Sequence, residues 1–465
     1  MAIGMTMAET TEEISVHDEE GALASGFIDA VIGSLAAADV DSLRKLLDAV
    51  HPADLADLIE TLDQGQRVLL ITMLGRHFDV EALAELDENV RDGLIQVLPP
   101  ETIASAIRKL DTDDAIYLIE DLDRREQQEI LAKVPPEDRS ALKRGLDFPE
   151  NTAGRLMQTE FVAVAPYWTV GQTIDYMRAE ADLPDKFVEI YVTDEGFHLQ
   201  GAVAVSRILR HPRAKKMAAL IEQLPVVFKV TDGREDVAYK FKQYNLVSAP
   251  VIDENNRLVG MLMVDDVVDI IEEEAEEDVL HLGGVGDEEI SDPVWRTIRS
   301  RFAWLFLNLL TALLASWVIS LFDATIDQMV ALAVLMPIVA SMGGNAGTQT
   351  MTIAVRALAT RELTALNALK VVLRESGVGV FNGVVFAIIV GALSYWWFGS
   401  DQLGLVIGAA MIINLLAAAL SGILIPLALD RLEVDPAIAS AVFVTTVTDV
   451  VGFFAFLGLA AIWLL

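Results

Sequence analysis

A single carboxylate, Asp449, stands in an otherwise apolar stretch, Ile438 to Leu465, long enough to cross a bilayer as a helix. Its helix neighbours one turn away are Thr445, Thr446 and Gly452. An ionised carboxylate in hydrocarbon costs about 2.5 kcal/mol or more. No Lys, Arg or His lies deep in any apolar stretch to pair with it. Such a group is either protonated or holds a cation, and it is expected to face a water-filled path. A second polar run lies in another apolar stretch, Leu335-Met336-Pro337 through Gly343-Gly344-Asn345-Ala346-Gly347-Thr348-Gln349-Thr350. Pro337 removes a helix hydrogen bond, and three glycines in five residues allow close backbone approach or free their carbonyls. Asn345 and Gln349, four apart, share one helix face. The plainer alternative for this run is a kinked helix with small-residue packing and polar contacts between helices.

The third chemical feature is acidic. From Asp265 to Asp278 nine of fourteen residues are acids: Asp265, Asp266, Asp269, Glu272, Glu273, Glu274, Glu276, Glu277 and Asp278. Val267, Val268, Ile270 and Ile271 alternate among them. Such a run is either a self-repelling solvated spacer or a helix with one carboxylate face that gathers divalent cations. Oxygen-only donors favour Mg2+ or Ca2+ over softer metals, and the amides of Asn345 and Gln349 suit Mg2+ or its hydration shell. The six histidines, His17, His51, His77, His198, His211 and His281, are scattered and read as surface or packing residues. The absence of cysteine removes disulfides, thiolate metal sites and thiol catalysis. No Walker loop or Ser/His/Asp set is present, so the chain does not read as an enzyme.

Five apolar stretches have spanning length, at about 302–322, 329–355, 371–398, 403–429 and 438–465. Arg296, Arg299 and Arg301 precede the first. Arg356, Arg361, Lys370 and Arg374 separate the second and third, and Arg431 the fourth and fifth. The other two connections carry Asp323, Asp327 and Asp401 and no base. The N-terminal part is therefore expected in the cytosol and the C-terminus outside a plasma (inner) membrane. Met1 to Glu20 is polar and acidic, without signal-peptide character, and is expected to be disordered. Residues 302–465 hold nine acids and five bases, leaving 60 acids against 29 bases in residues 1–301, a net of −31. That charge argues for cations and against nucleic acid or anionic lipid as partners of the soluble part.

Two repeats organise that part. In residues 23–147, Leu-Asp pairs recur at 62–63, 86–87, 110–111 and 122–123, and Pro-Pro-Glu at 99–101 and 135–137. Short-period turn signals between helically spaced apolar residues predict stacked short helices. In residues 155–275, Asp194-Glu195, Leu199 and Gly201 are matched by Asp253-Glu254, Leu258 and Gly260, each shifted by 59. Apolar runs flank each turn (Ile190–Val192 and Ala202–Val205; Ala249–Ile252 and Met261–Val264), and helices begin near Ser206 and Asp265. Strand, turn, strand, helix predicts a duplicated α/β module, which resembles a tandem pair of CBS domains. Gly283, Gly284 and Gly286 predict a hinge before a helix carrying Trp295, Arg296 and Arg299.

In this order, the parts resemble the MgtE family of magnesium channels and transporters over nearly the whole chain after residue 20. The motifs that carry the resemblance are His51-Pro52-Ala53-Asp54, Gly343-Gly344-Asn345-Ala346-Gly347-Thr348-Gln349, Arg356-Ala357-Leu358-Ala359-Thr360-Arg361, Asp435-Pro436-Ala437 and Thr448-Asp449-Val450-Val451-Gly452. The resemblance implies a multidomain fold. A disordered N-terminus (1–20) precedes an α-helical superhelical N domain (21–150) and an α/β tandem CBS pair (151–275). A connecting plug helix (276–300) then leads to an all-α transmembrane domain of five helices (301–465). It implies a homodimer in the lipid bilayer with a pore on the two-fold axis, where Asp449 of both chains grips a largely hydrated Mg2+ near Asn345 and the Thr445 carbonyl. It implies regulatory Mg2+ ions at Glu81, Asp113, Glu235, Asp266, Asp269, Glu274, Glu277 and Asp278, and ATP or another adenine nucleotide at the CBS pair. Three sensor positions that are acidic in other members are Tyr117, Gly233 and Asn245 here, and an Asn found in some members is Ala441.

The expected mechanism is electrostatic. At low cytosolic Mg2+ the acidic surfaces repel and separate; at high Mg2+ they are bridged, and the connector closes the pore. Two other readings stand beside it: a membrane-anchored Mg2+ or nucleotide sensor that needs no Asp449, and a proton-coupled divalent-cation exporter with Asp449 as proton carrier.

Overall fold

Each Leu-Asp pair marks a helix start. The structure is a computed structural model that describes residues 15–48, 50–180, 183–184, 186–286, 288, 294–364, 366–432 and 434–464, with Ala439 and Ser440 described by their backbone alone. Residues 1–14, and with them most of the expected disordered tail, lie outside the described residues. Asp63, Asp87, Asp111 and Asp123 are the N-caps of helices Gln64–Leu74, Glu88–Ile95, Thr112–Tyr117 and Arg124–Leu131. The Asp63 and Asp123 carboxylates accept from the backbone N–H of Gln66 and Glu126, each at 2.9 Å, and close capping boxes. Leu62 and Leu86 are buried just before their caps, while Leu110 and Leu122 pack against the same core. The second proline of each Pro-Pro-Glu is the first residue of a helix, Pro100–Ile107 or Pro136–Asp147, where its missing N–H costs nothing.

The 59-residue offset is carried into the backbone. Strands β1 (Ala163–Val164), β2 (Glu189–Thr193) and β3 (Leu199–Ala204) form one sheet in that order, with β1 parallel and β3 antiparallel to β2. Strands β4 (Phe228–Lys229), β5 (Ser248–Ile252) and β6 (Leu258–Met263) repeat it. Register shifts fall at Val192/Thr193 and at Val251/Ile252. In the turns, Asp194 accepts from Gly196 and His198 N–H, and Asp253 from Asn255 and Arg257 N–H. Phe197 and Asn256 take the left-handed conformation, at φ 62° and 59°.

The chain divides into two units, one ending at Ile271 and the other beginning at Glu272. The acidic connector is one helix, Val264–Leu282, running unbroken past residue 275. Val267 and Ile270 on its first turns are buried in the core of the second CBS half. In the second unit, Leu282 packs with Met351, Val355, Ala437 and Val444. Five helices are long and apolar enough to span: Val294–Ser320, Ala331–Ala359, Ala368–Phe398, Asp401–Arg431 and the Ala441–Trp463 portion of Pro436–Trp463. The first starts before the expected residue 302. Trp295, Arg296, Arg299 and Arg301 are its opening turns rather than a separate helix, because nothing between Val294 and Ser320 breaks the ladder. The fourth helix is the hub, burying Leu403, Val406, Ile407, Ala410, Met411 and Leu415 in the core of the bundle.

Candidate ion pathway and cation-sensing cluster

Asp449 is half-buried on the fifth spanning helix and has no hydrogen bond or ion pair with any described residue. Thr445, one turn before it, donates its hydroxyl to the Ala441 and Val442 carbonyls at 2.9 and 3.1 Å. The Thr445 carbonyl itself accepts from the buried Thr448 Oγ1 at 2.9 Å. Around Asp449 the polar side chains thus satisfy their own helix, and the carboxylate is the group left over.

The Gly-Gly-Asn run does not open its helix. Ala331–Ala359 is continuous through Pro337 and all three glycines, so the carbonyls stay in the ladder; Gly343 and Gly347 act by close approach, while Gly344 faces open space. A Cβ on Gly347 would lie 2.6 Å from Val444 Cγ1, and one on Gly343 2.2 Å from Asn414 Nδ2. On the fifth helix, a Cβ on Gly452 would lie 2.7 Å from the same Asn414 nitrogen. Asn414, 0% exposed, is a polar wedge between these two glycines. Its Nδ2 donates to the Val339 carbonyl at 2.8 Å, and its Oδ1 has no hydrogen-bond partner. Gly343→Ala is therefore expected to cost about 1–3 kcal/mol by overpacking. Adding Asn414→Ala should recover most of that loss. Thermal unfolding of the detergent-solubilised single and double variants checks both. Asn345 is exposed, and its Nδ2 donates to the Ser341 carbonyl of its own helix at 2.8 Å. Gln349 is exposed too. Within one chain no hydrogen bond joins Asn345, Thr445 and Asp449.

In the first unit, carboxylates crowd together. Asp113 lies on the first turn of helix Thr112–Tyr117 and Asp266 on the first turn of the connector. Asp113 Oδ2 and Asp266 Oδ2 are both buried without a hydrogen-bond partner. Burial, and then the neighbouring Asp266 and Asp114, hold the Asp113 carboxyl well above the usual range. Burial, and then Asp265 and Asp114, push Asp266 up to about 7. Asp114 is raised to about 6 by burial and by Asp111, Glu85, Glu81 and Asp265. Glu85 is raised by burial and then by Asp269. Glu81, Asp113, Asp266 and Asp269 from the sequence reading are thus brought into one cluster. Glu85, Asp111, Asp114 and Asp265 complete it; the first lies four residues after Glu81, just past a short 3-10 turn, and the next two lie on either side of Asp113 in the sequence. Two orphaned buried carboxylate oxygens facing like charges are what a cationic ligand would satisfy.

Not every expected position joins. Glu235 is exposed on the first turn of helix Arg234–Tyr244. Glu274, Glu277 and Asp278 lie beyond Ile271 in the membrane unit, where Glu277 approaches His281 and Asp435. The three departures from acid have structural roles here. Tyr117 lies under the buried Arg91 guanidinium, 4.0 Å from ring centroid to Cζ. Gly233 is a helix N-cap, and Asn245 is the left-handed C-cap of the same helix, at φ 50°.

A model of divalent cation transporters matches residues 336–459, one of the MgtE intracellular N domain matches 50–151, and one of the CBS domain matches 221–273. The magnesium transporter MgtE of Thermus thermophilus is 32% identical over 92% of this chain and 96% of its own length. The corresponding proteins of Enterococcus faecalis and Bacillus subtilis are 30% identical over 70% of this chain and 72% of their sequence, and 27% identical over 90% and 94%, respectively. A crystal structure of the cytosolic domain of the Mg2+ channel MgtE in complex with ATP matches 52% of this chain and 99% of that one, at 27% identity and a TM-score of 0.49. With its intracellular N region, CBS module and five membrane helices, this chain belongs to the MgtE family of magnesium transporters, a transport family and not an enzyme family.

Proposed function

We propose that the chain is a Mg2+ channel that admits the ion to the cytosol and is shut by cytosolic Mg2+. The pair of orphaned oxygens, Asp113 Oδ2 and Asp266 Oδ2, carries the gating half of this reading. Ionised and metal-free, the two carboxylates drive the N domain and the connector apart; a Mg2+ or its water shell between them reverses the sign of that interaction. Because Asp266 opens the connector helix, and Leu282 near its other end packs against a cluster that includes Ala437 and Val444 of the helix of Asp449, the connector is the element that transmits the change. Mg2+ is the cargo as well as the signal. Its two charges gain about 4.6 kcal/mol per 100 mV on entering an inside-negative cell, so no ATP hydrolysis is needed.

The permeation half rests on Asp449, and it calls for a second copy of the chain. Asn345, Gln349 and Asp449 are exposed or half-exposed on spanning helices, with no polar partner across the bundle for the carboxylate. Facing lipid they would be costly; facing each other across a two-fold axis, two copies line a wet path for a hydrated divalent ion. Glu235, Glu274, Glu277 and Asp278 are further regulatory positions in this reading.

The CBS pair supplies a nucleotide site. A cavity of about 550 Å3 lies between the two halves, lined by Phe187, Glu189, Ala204, Tyr244, Asn245 and Ser248 among others. That size suits an adenine nucleotide, and the related cytosolic domain was crystallised with ATP. Among the described lining residues none is basic, so the base and ribose are the parts the cavity holds. Ala204→Trp should fill it and abolish nucleotide binding measured by calorimetry, while Asp449-dependent Mg2+ flux remains.

The gating reading is tested in liposomes of purified protein with the cytosolic face held in low and then high Mg2+. Influx that stops in high Mg2+ supports it; influx indifferent to Mg2+ on that face contradicts it.

A further inference from the structure

The strongly negative charge of residues 1–301 conceals one stretch of opposite sign. From Gly196 to Ile221 the chain carries no Asp or Glu and five bases, Arg207, Arg210, Arg213, Lys215 and Lys216. The short helix Val205–Leu209 ends at Arg210, and a turn follows in which Lys215 N–H donates to the Pro212 carbonyl at 3.0 Å. The segment then lies along the start of helix Val170–Ala179. Val170 N–H donates to the Lys215 carbonyl and Gly171 N–H to that of Arg213, both at 2.8 Å. Ala218 N–H donates to the Pro166 carbonyl at 3.0 Å, which brings the backbone of Tyr167 beside that of Lys216. Two of the bases are used within the fold: Arg213 donates to both oxygens of Asp175 at 2.6 Å, and Arg207 pairs with Glu222. Arg210, Lys215 and Lys216 form no ion pair with any described residue. Two large apolar side chains accompany them in the open, Leu209 at 69% and Tyr167 at 62% exposure.

We propose that this stretch is a docking surface for the anionic headgroups of the bilayer that the spanning helices enter, and that it holds the first CBS half to the membrane surface. Arg210, Lys215 and Lys216 carry their charges on long apolar stems beside exposed Leu209 and Tyr167. That mixture suits a headgroup layer, where the cations meet phosphate and the apolar side chains enter just below it. An acidic protein surface would use the charges but not the two apolar side chains. The chain is anchored to a bilayer by its own five spans, so the headgroups are present at high effective concentration and a patch of modest intrinsic affinity suffices. The acidic remainder of the unit is repelled by the same headgroups, so the patch also selects which face approaches. In this reading Arg213 is a positioning residue, since its pairing with Asp175 ties the turn to helix Val170–Ala179. The inference does not depend on the gating reading above, and it revises the expectation from net charge that the soluble part avoids anionic lipid.

The test uses the full-length chain in liposomes. The chain has no cysteine, so Ala214→Cys, in the exposed turn, takes a single fluorophore. Lipid carrying a nitroxide headgroup should quench it in vesicles that contain phosphatidylglycerol and not in vesicles of phosphatidylcholine alone. Adding Arg210→Glu and Lys216→Glu should lower the docked-to-free ratio at least about tenfold, since each base near an anionic surface is a factor of about five. Raising the salt should release the parent, because the attraction reaches only about a Debye length. Inorganic phosphate should release it no better than chloride at equal ionic strength. The same label at Glu254→Cys, in the turn of the second CBS half, should stay unquenched throughout. No quenching in the anionic vesicles, equal quenching in neutral ones, equal quenching at Glu254→Cys, or quenching that survives the charge reversals would overturn the surface. Release by phosphate alone would overturn it in favour of a site for a free anion. A label at Ala214→Cys shielded from aqueous iodide yet untouched by the lipid quencher would overturn it too, because a protein surface such as a second copy then covers the patch.

Discussion

Asp449→Asn is expected to reduce Mg2+ influx by about a hundredfold or more, with the protein still inserted and folded. The substitution keeps the shape and removes the charge, and losing a close pairing of about 2.7 kcal/mol corresponds to that factor. The structure explains why nothing else can stand in. Among the described residues Asp449 has no partner, Thr445 and Thr446 spend their hydroxyls on their own helix, and Asn345 donates to Ser341. Since no described contact of the bundle uses the carboxylate, the unfolding midpoint should be unchanged or raised. Isotope uptake beside thermal unfolding of the same preparation checks both.

Asp266→Asn is expected to have two effects of opposite sign. The Mg2+ concentration for half-closure should rise at least about tenfold, the factor for losing about 1.4 kcal/mol of ligand energy. In metal-free buffer, however, the cytosolic region should become more stable, because one of two repelling buried carboxylates has gone. The pH dependence follows from the same cluster. Asp266 titrates at about 7 in the folded protein against an ordinary 3.8, and Asp114 at about 6. Between the ordinary and the raised values the folded state holds protons that the unfolded chain has released. Metal-free stability from these groups is therefore fully present below about pH 4, is lost as pH rises to about 7, and is flat above. Mg2+ competes with those protons, so its affinity should fall as pH drops from 7 to 6. Unfolding midpoints from pH 5 to 8, with and without Mg2+, should converge at the acid end and diverge at the neutral end. A metal-free midpoint that rises with pH would contradict this.

Much of the architecture was legible because local signals and fold agree. The 59-residue offset survives into strand ends, register shifts and left-handed turn residues, since each half folds by its own short-range rules. The Leu-Asp pairs, read as turn signals, are helix starts in the structure because capping and burial of the preceding leucine are both local. Asp449 stands out in the sequence because charge in hydrocarbon is expensive wherever it occurs. What sequence could not give is what depends on distant packing. Nine connector acids look alike until helix Thr112–Tyr117 puts Asp113 beside Asp266 and orphans one oxygen of each. His281 read as a surface or packing residue; it is buried against two carboxylates, one of them Asp435, 154 positions away. Asn414 carried no signal at all, because only tertiary packing sets it between Gly343 and Gly452. The helix through Gly343 to Gly347 shows the converse, as Gly343 and Gly347, which could have freed carbonyls, serve contact instead.

The experiment to perform first is Mg2+ uptake by proteoliposomes under a clamped inside-negative potential, at equal pH on both sides and without ATP, comparing the parent chain with Asp449→Ala. The proposed channel predicts uptake that scales with the potential and disappears in the variant. Uptake that survives the substitution, or that requires a pH gradient, would contradict it and favour the sensor or the proton-coupled exporter.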